Sequence, residues 1–460
     1  MSAQPASYDR TLPRYIRRER GAYYTPPELV ELLLDHGLEP LLDRVADPLR
    51  LRIADPACGD GRFLLAAAER IARRGVPIAR VVRSCLFGVD SDSQAVQLCR
   101  RNLARAARRR PNSISTIAVG DGLTAWEPGT FDAVIGNPPF RNAIEGNRRE
   151  YRPHPLIGGT ADLAYRFLVR ATELVRPGGT VAMIQPRPGL NAAALDRFRR
   201  GVPNDLRPNL IFAPDRSRLF DGAMVFACAL VLGPGPTCRV SRDPARRAWA
   251  TGPIRSVNWW QGLNALLLGD RSDGVPAPAG RRIGDVFEVV AGMTAAEAYA
   301  VRPFVRNAPR ASRGRLVTTG LIDPGECLWG RRRCRYLGVD YDHPAVVRSR
   351  DLPPSVTRRW RRSLRPKILV AGLSRRLECV LDADGRLMGA VSTFAILHPR
   401  DDVAELRELV DWLHGDIVDR HFRFELGASA VSGGDTVMTK RFLRSLPMAD
   451  ARPARGPMAR

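Results

Sequence analysis

An alternation constrains this chain more than any other feature. Between residues 51 and 185, short apolar runs take turns with stretches of helical period. Residues 51–54, 85–89, 115–119, 131–135 and 180–185 read as strands, and 63–73 and 94–108 as helices. An earlier helix is expected over 27–36, with Leu29, Val30, Leu33 and Leu34 on one face. Strands joined through helices return in the same direction, so the expectation is a mainly parallel sheet covered on both faces. A run at 225–232 is expected to close this domain.

An open parallel sheet holds its ligand at the carboxyl ends of its strands. The first strand runs into Asp55-Pro56-Ala57-Cys58-Gly59-Asp60-Gly61, whose small residues let a ligand approach the backbone. Leu64 stands where a GxGxxG fingerprint needs its third glycine, so a dinucleotide is not indicated. The second strand ends on Asp90, where a carboxylate can accept both hydroxyls of a ribose. The third ends at Gly120-Asp121, where a carboxylate can accept from an adenine amino group. Each acid alone reads equally as a helix cap; with the glycine loop they read as a nucleoside site.

The fourth strand runs straight into Gly136-Asn137-Pro138-Pro139-Phe140. Two successive prolines cannot continue a ladder and stiffen the turn. The Asn137 side-chain carbonyl and the Pro138 backbone carbonyl can both accept from an aromatic NH2. Acceptors out of the ring plane favour a pyramidal nitrogen and stabilise the positive charge that grows as it attacks. Phe140 can stack on a base turned out of its helix.

These residues, in this order, resemble the adenine-N6 DNA methyltransferases of the gamma arrangement. The resemblance implies a Rossmann-like, class I methyltransferase domain followed by a mixed α+β target recognition domain. It implies S-adenosylmethionine as cofactor and double-stranded DNA as partner, with base flipping. Gly21-Ala22-Tyr23-Tyr24-Thr25-Pro26 matches the family's opening segment, which places Tyr24 and Thr25 over the methionine end of the cofactor. Asp55, Pro56, Ala57 and Gly59 match the cofactor loop, Asp90 and Asp121 the ribose and adenine acids. Asn137, Pro138, Pro139 and Phe140 match the catalytic loop, with Asn137 also at the cofactor and Phe where many members have Tyr. Gly159 to Tyr165 and Pro177 to Thr180 follow the family pattern, and Leu219-Phe220 stands where it supplies a second stacking aromatic, Phe220. Further along, Ile283 to Val289, Gly292 and Thr439 to Leu443 resemble recognition-domain segments.

The expected organisation is a basic lead-in at 1–20, a catalytic domain at 21–235, a Pro- and Gly-rich connector at 236–280, a recognition domain at 281–448 and a disordered tail at 449–460. In the second domain, 284–290, 367–371 and 391–397 read as strands and 403–424 as helix. The net charge of +24 suits a polyanionic partner, although a GC-rich genome also yields arginine excess, and Lys367 and Lys440 are the only lysines. The arginines between 358 and 376 read either as a phosphate-contacting face or as a solvated surface. Ser432-Gly433-Gly434-Asp435 reads as a turn and His154 as a surface residue. The eight cysteines form no CxxC pair, so no metal is expected. With no signal peptide and no long apolar span, a cytoplasmic protein without membrane contact is expected. No lysine lies two residues after an acid, which speaks against a fused nuclease and leaves room for a separate restriction nuclease as partner. Three other readings stay open: an RNA base methyltransferase acting on guanine N2 or adenine N6, a protein-glutamine methyltransferase, and a non-catalytic DNA-binding subunit.

Overall fold

Strand β1 (Ile53–Asp55) lies inside a nine-stranded sheet in the computed structural model. The structure describes residues 25–140, 154–158, 162–214, 227–243, 245, 248–254, 258–268, 281–426 and 436–448. The segments at 21–24, 159–161, 219–220, 432–435 and 449–460 lie outside them, and with them Tyr24 and Phe220. The chain divides into two units, Met1–Gly269 and Asp270–Arg460.

Helix α1 (Pro27–Gly37) opens the first unit. After β1 come α2 (Arg62–Ala72), α3 (Ile78–Ser84), β2 (Leu86–Asp90) and α4 (Ser93–Ala107). Then follow β3 (Ile117–Val119), β4 (Phe131–Gly136), α5 (Leu163–Leu174) and β5 (Val175–Pro186). The sheet order begins β3-β2-β1-β4-β5, and these five strands are all parallel. The alternation read from the sequence thus takes the crossover form its physics demands. Strands β1 and β4 are buried along their whole length, as expected where helices cover both faces.

Helix α1 is fixed at two places. Arg70 of α2, 4% exposed, bonds Glu31 at 2.5 Å, Asp35 at 2.7 Å and Glu39 at 3.1 Å. At its last residue the Thr180 hydroxyl of β5 donates to the Gly37 carbonyl at 2.5 Å. A Cβ on Gly37 would lie 2.5 Å from the Ala182 Cβ, so only glycine lets the helix end this close to the sheet.

The far side of this sheet departs from the sequence reading. The run expected to close the domain, β7 (Ala227–Gly233), is interior. It pairs antiparallel with β5 and with β6 (Arg207–Phe212), a strand the sequence reading missed because Pro208 sits in it. The region 236–280 is not a plain connector. It contributes β8 (Cys238–Ser241) and β9 (Ala250–Gly252), which extend the same sheet beyond β6, and helix α6 (Trp259–Leu268). The strands are too short to give a periodic signal. Their burial comes from packing, with Cys238, Val240, Trp260 and Leu263 all at or near zero exposure.

The second unit holds a four-stranded antiparallel sheet ordered Glu288–Ala291, Thr393–Leu397, Lys367–Ala371, Cys379–Asp382. Helices Val403–Leu413 and Asp416–Leu426 pack on one face through Leu406, Leu409, Val418 and Phe422. The helical region expected over 403–424 consists of these two helices, parted at His414 and Gly415. A second four-stranded sheet orders Val305–Asn307, Pro344–Val346, Arg315–Val317, Leu387–Gly389. The strand expected over 284–290 begins instead as the helical turn Ile283–Val286. The Asp285 carboxylate accepts from the Arg282 backbone N–H at 2.9 Å and so caps that turn, and the strand starts only at Glu288.

Candidate functional site

Four parallel strands set four carboxyl ends along one rim. Asp55 ends β1, Asp90 ends β2, Asp121 follows β3, and Asn137 follows β4. Because β3, β2, β1 and β4 are neighbours in that order, the sheet itself gathers residues spread over more than eighty positions of sequence.

The loop after β1 is shaped by backbone bonds to those acids. Asp55 Oδ1 accepts from the Ala57 N–H at 3.0 Å. Asp90 Oδ2 accepts from the Gly59 N–H at 2.9 Å, and its Oδ1 from the Asp92 N–H at 2.9 Å. The Cys58 N–H donates to the Val89 carbonyl at 3.0 Å. The loop is thus strapped to the end of β2. Gly59 has φ +53°, and a Cβ there would meet nothing within 4 Å, so its outer side opens on free space. Gly61, at φ +82°, begins α2, and a Cβ on it would lie 2.5 Å from Cys99 Sγ. Pro56 is buried; Ala57 and Gly59 are half-buried.

Asp121 is exposed, and its Oδ1 accepts from the Leu123 N–H at 2.9 Å. Gly122 beside it crosses Pro56 so closely that a Cβ would fall 1.8 Å from the Pro56 carbonyl oxygen. That glycine brings the third strand's acid against the first strand's loop. At Gly136, φ +150°, a Cβ would lie 2.6 Å from Asp55 Oδ1, so the segment that leaves β4 begins in contact with the buried acid.

Asn137 is half-buried, and its Nδ2 donates to Thr25 Oγ1 at 3.0 Å. Thr25, 6% exposed, is itself held by Arg62, whose Nη1 donates to the Thr25 carbonyl at 2.7 Å while its Nη2 pairs with Asp60 at 3.2 Å. The Asp60 carbonyl accepts from Asn102 at 2.9 Å. Thr25, the loop after β1 and the segment after β4 are therefore one bonded assembly. Pro138 is buried and Pro139 half-buried. Phe140 is half-buried and packs against the first unit's core.

Arg62 and Gly122 carry this geometry, and the sequence reading gave neither a role. Arg62 follows Gly61 directly, but nothing local tells that it reaches back to Thr25. His154 is structural: one ring nitrogen pairs with Glu173 at 3.0 Å and the other accepts from the Leu156 N–H at 3.2 Å.

The rim is electronegative. Asp55, 2% exposed, is pushed up to about 8 by burial, against the pull of its bond to Ala57, with the charges of Asp90 and Asp60 adding to the rise. Such a cluster is eased by a bound cation. Among the described residues no group of three or more His, Cys, Asp or Glu side chains could hold a metal ion. None of the described helices is long and apolar enough to cross a membrane.

Comparison with known proteins agrees with this architecture. Residues 7–214 match the family model described as N-6 DNA Methylase. The chain is similar to the methylase subunit of the Type I restriction enzyme MjaIX of Methanocaldococcus jannaschii, with 27% identity over 207 residues, covering 43% of this chain and 34% of that one. It is also similar to the release factor glutamine methyltransferase of Caulobacter vibrioides, with 31% identity over 134 residues, covering 27% of this chain and 42% of that one. The chain thus spans between a third and a half of the length of these relatives. Among solved structures, the Type IIL restriction-modification enzyme MmeI in complex with DNA shares the fold at a TM-score of 0.51 and 14% identity, covering 84% of this chain and 63% of that one. The N-terminal region is Rossmann-like, and mixed α+β structure follows it.

Proposed function

We propose that this chain transfers a methyl group from S-adenosylmethionine to the N6 atom of an adenine in duplex DNA, with the target base turned out of the helix. The observation that carries the reading is the bond between Asn137 and Thr25, which orients the catalytic amide at the end of β4 beside the acid-lined loop. The family match at 7–214 and the order of segments, opening strap before cofactor loop before catalytic loop, support the adenine assignment and the gamma arrangement.

The residues present fit the cofactor. The carboxylates of Asp90 and Asp60, whose charges add to the burial that raises Asp55, favour a positively charged ligand, and the open side of Gly59 admits one close to the backbone. Asp90 would hold the ribose hydroxyls through the lone pairs its two backbone bonds leave, and Asp121 the adenine amino group. Thr25 and Pro56 would flank the methionine end, a role proposed also for Tyr24. S-adenosylmethionine supplies the electrophilic methyl group when bound.

Asn137 Oδ1 and the Pro138 carbonyl accept from the target amine and hold its nitrogen pyramidal. With Nδ2 donating to Thr25, the amide carbonyl is the pole that serves the amine. The acceptors stabilise positive charge on nitrogen as its bond to the methyl forms and the methyl–sulfur bond breaks, the neutral thioether leaving with that electron pair, and the proton is then released to water. Preorganised groups of this kind are worth about a hundred- to a thousandfold each. Phe140 stacks on the flipped base, a role proposed also for Phe220.

Asn137→Ala tests the reading. Cofactor affinity should be kept while methyl transfer to duplex DNA falls by at least about a hundredfold. Mapping modified bases in DNA from cells that express the wild-type protein should show N6-methyladenine in one sequence context. Methylated RNA or a methylated protein glutamine, with unmodified DNA, would replace this function with one of the other two enzymatic readings.

A further inference from the structure

The arginine run at 358–376 looks from sequence like the phosphate-contacting face of the second unit, but much of its charge is neutralised within the fold. Arg359 pairs with Glu297 at 2.7 Å, Arg362 with Glu288 at 3.2 Å and Arg365 with Asp401 at 2.8 Å. Lys367 is 2% exposed and is paired with Asp382. A different place in the same unit carries unneutralised charge. A cleft of about 570 Å³ lies between the loop at 309–313 and the turn at 384–386. Arg310, Arg313, Arg315 and Arg386 line it against one carboxylate, Asp384. Asp384 is already engaged by Arg386 at 2.8 Å. Arg310 and Arg313 are exposed and have no hydrogen-bond or ion-pair partner among the described residues.

The cleft is built, not a chance crowding of side chains. Its two walls are joined where the Arg315 N–H donates to the Arg386 carbonyl at 3.0 Å and Arg315–Val317 pairs in parallel with Leu387–Gly389. The first wall is pinned at Gly314, φ +70°, where a Cβ would lie 2.2 Å from the Trp360 ring. Arg315 fixes its base: its Nε donates to the Ala311 carbonyl at 2.8 Å and its guanidinium lies 4.5 Å above the Trp329 ring. The second wall is held from below by the buried pair. Asp382, anchored by Lys367, accepts from the Arg386 and Leu387 N–H groups at 2.9 Å each and so sets the turn that presents Arg386.

We infer that this cleft seats a backbone phosphate of duplex DNA, with Arg310 and Arg313 as its charge-bearing donors. The inference rests on the DNA reading above. Guanidinium groups match a phosphodiester with paired N–H donors, and the Ser312 hydroxyl between them adds an O–H donor. The lining holds no aromatic side chain, so a base finds no stacking face there. The contact is therefore to backbone and independent of sequence.

The test measures duplex binding by the full chain against salt concentration. Each neutralised phosphate contributes about 0.9 to the slope of log affinity on log salt. Arg310→Ala with Arg313→Ala should lower that slope by about 0.9, the contribution of the one phosphate they share, and weaken low-salt binding about equally for specific and unrelated duplexes. Cofactor affinity and melting temperature should stay unchanged. Arg310→Lys with Arg313→Lys should recover most of the slope. Arg109→Ala with Arg110→Ala removes the same charge at the opposite rim of the first unit's sheet, between α4 and β3, and should leave the slope nearly intact. Equal losses from both alanine pairs would show only a general field, and no loss from the 310/313 pair would show no contact; either result overturns the site while leaving the DNA reading standing. A wild-type protein that binds cofactor but no duplex would overturn both.

Discussion

Two residues in the site have environments that make opposite demands. Asn137 needs its amide fixed, and Thr25 fixes it. Thr25→Val removes the acceptor and leaves a half-buried N–H unpaired, a cost of about 1–3 kcal/mol that falls on amide orientation. The turnover number should drop roughly tenfold or more while cofactor affinity changes less, and Thr25→Ser should restore it; a Val variant at wild-type turnover would detach Thr25 from the chemistry. Asp55 is the other case. Burial pushes its folded pKa up to about 8, above the unfolded value near 3.9, so the folded state holds the extra proton between those limits. That contribution to stability is complete below the unfolded value and is lost as pH rises through about 8. The cofactor-free protein should therefore melt lower at pH 9 than at pH 6, and Asp55→Asn should flatten the difference. Thermal melts of the two proteins across that range decide it.

At the scale of elements, the site depends on how tightly strand ends approach each other. Gly122 is the clearest instance, because the obstacle to a side chain there is backbone, the Pro56 carbonyl, and backbone in a strapped loop cannot yield. Gly122→Ala should cost roughly 1–3 kcal/mol by overpacking and should weaken cofactor binding, since the loop it displaces is the cofactor loop. Urea denaturation and calorimetric titration would read the two effects separately. Gln185 on β5 gives a contrasting expectation. It is 2% exposed and neither its side-chain amide nitrogen nor its oxygen has a hydrogen-bond partner among the described residues. If its role is only to fill the core, Gln185→Met should raise stability by on the order of 1 kcal/mol, because it removes an unpaired buried amide. A loss of stability in that variant would mean that the amide is satisfied in solution.

At the scale of the molecule, the first unit runs on through the region expected to be a connector. A fragment cut at residue 235 would lose β8, β9 and α6 and leave the edge of β6 unpaired. A fragment ending at Gly269 keeps them. The longer fragment should stay monodisperse and bind S-adenosylmethionine, while the shorter one should aggregate; gel filtration of both is sufficient. Equal behaviour of the two would mean that β8 and β9 contribute little to the sheet.

The chemistry of the rim was legible in the sequence because it is written locally. Each acid follows an apolar run directly, the two prolines follow the fourth, and the order of runs dictates a parallel sheet whose carboxyl ends must share an edge. What joins the rim was not legible. Thr25 and Asn137 are 112 residues apart, and Arg62 reaches Thr25 across 37. No periodicity records such a pair. The same holds for the short strands β6, β8 and β9, which exist only because neighbours in the sheet complete them. It holds again for charge. Composition shows an excess of arginine but not which arginines are neutralised, because Glu288, Glu297, Asp382 and Asp401 come from separate elements to meet the run at 358–376. Local order along the chain determined which chemical groups are available; folding alone decided which of them are already paired, since pairing is a matter of distance in space.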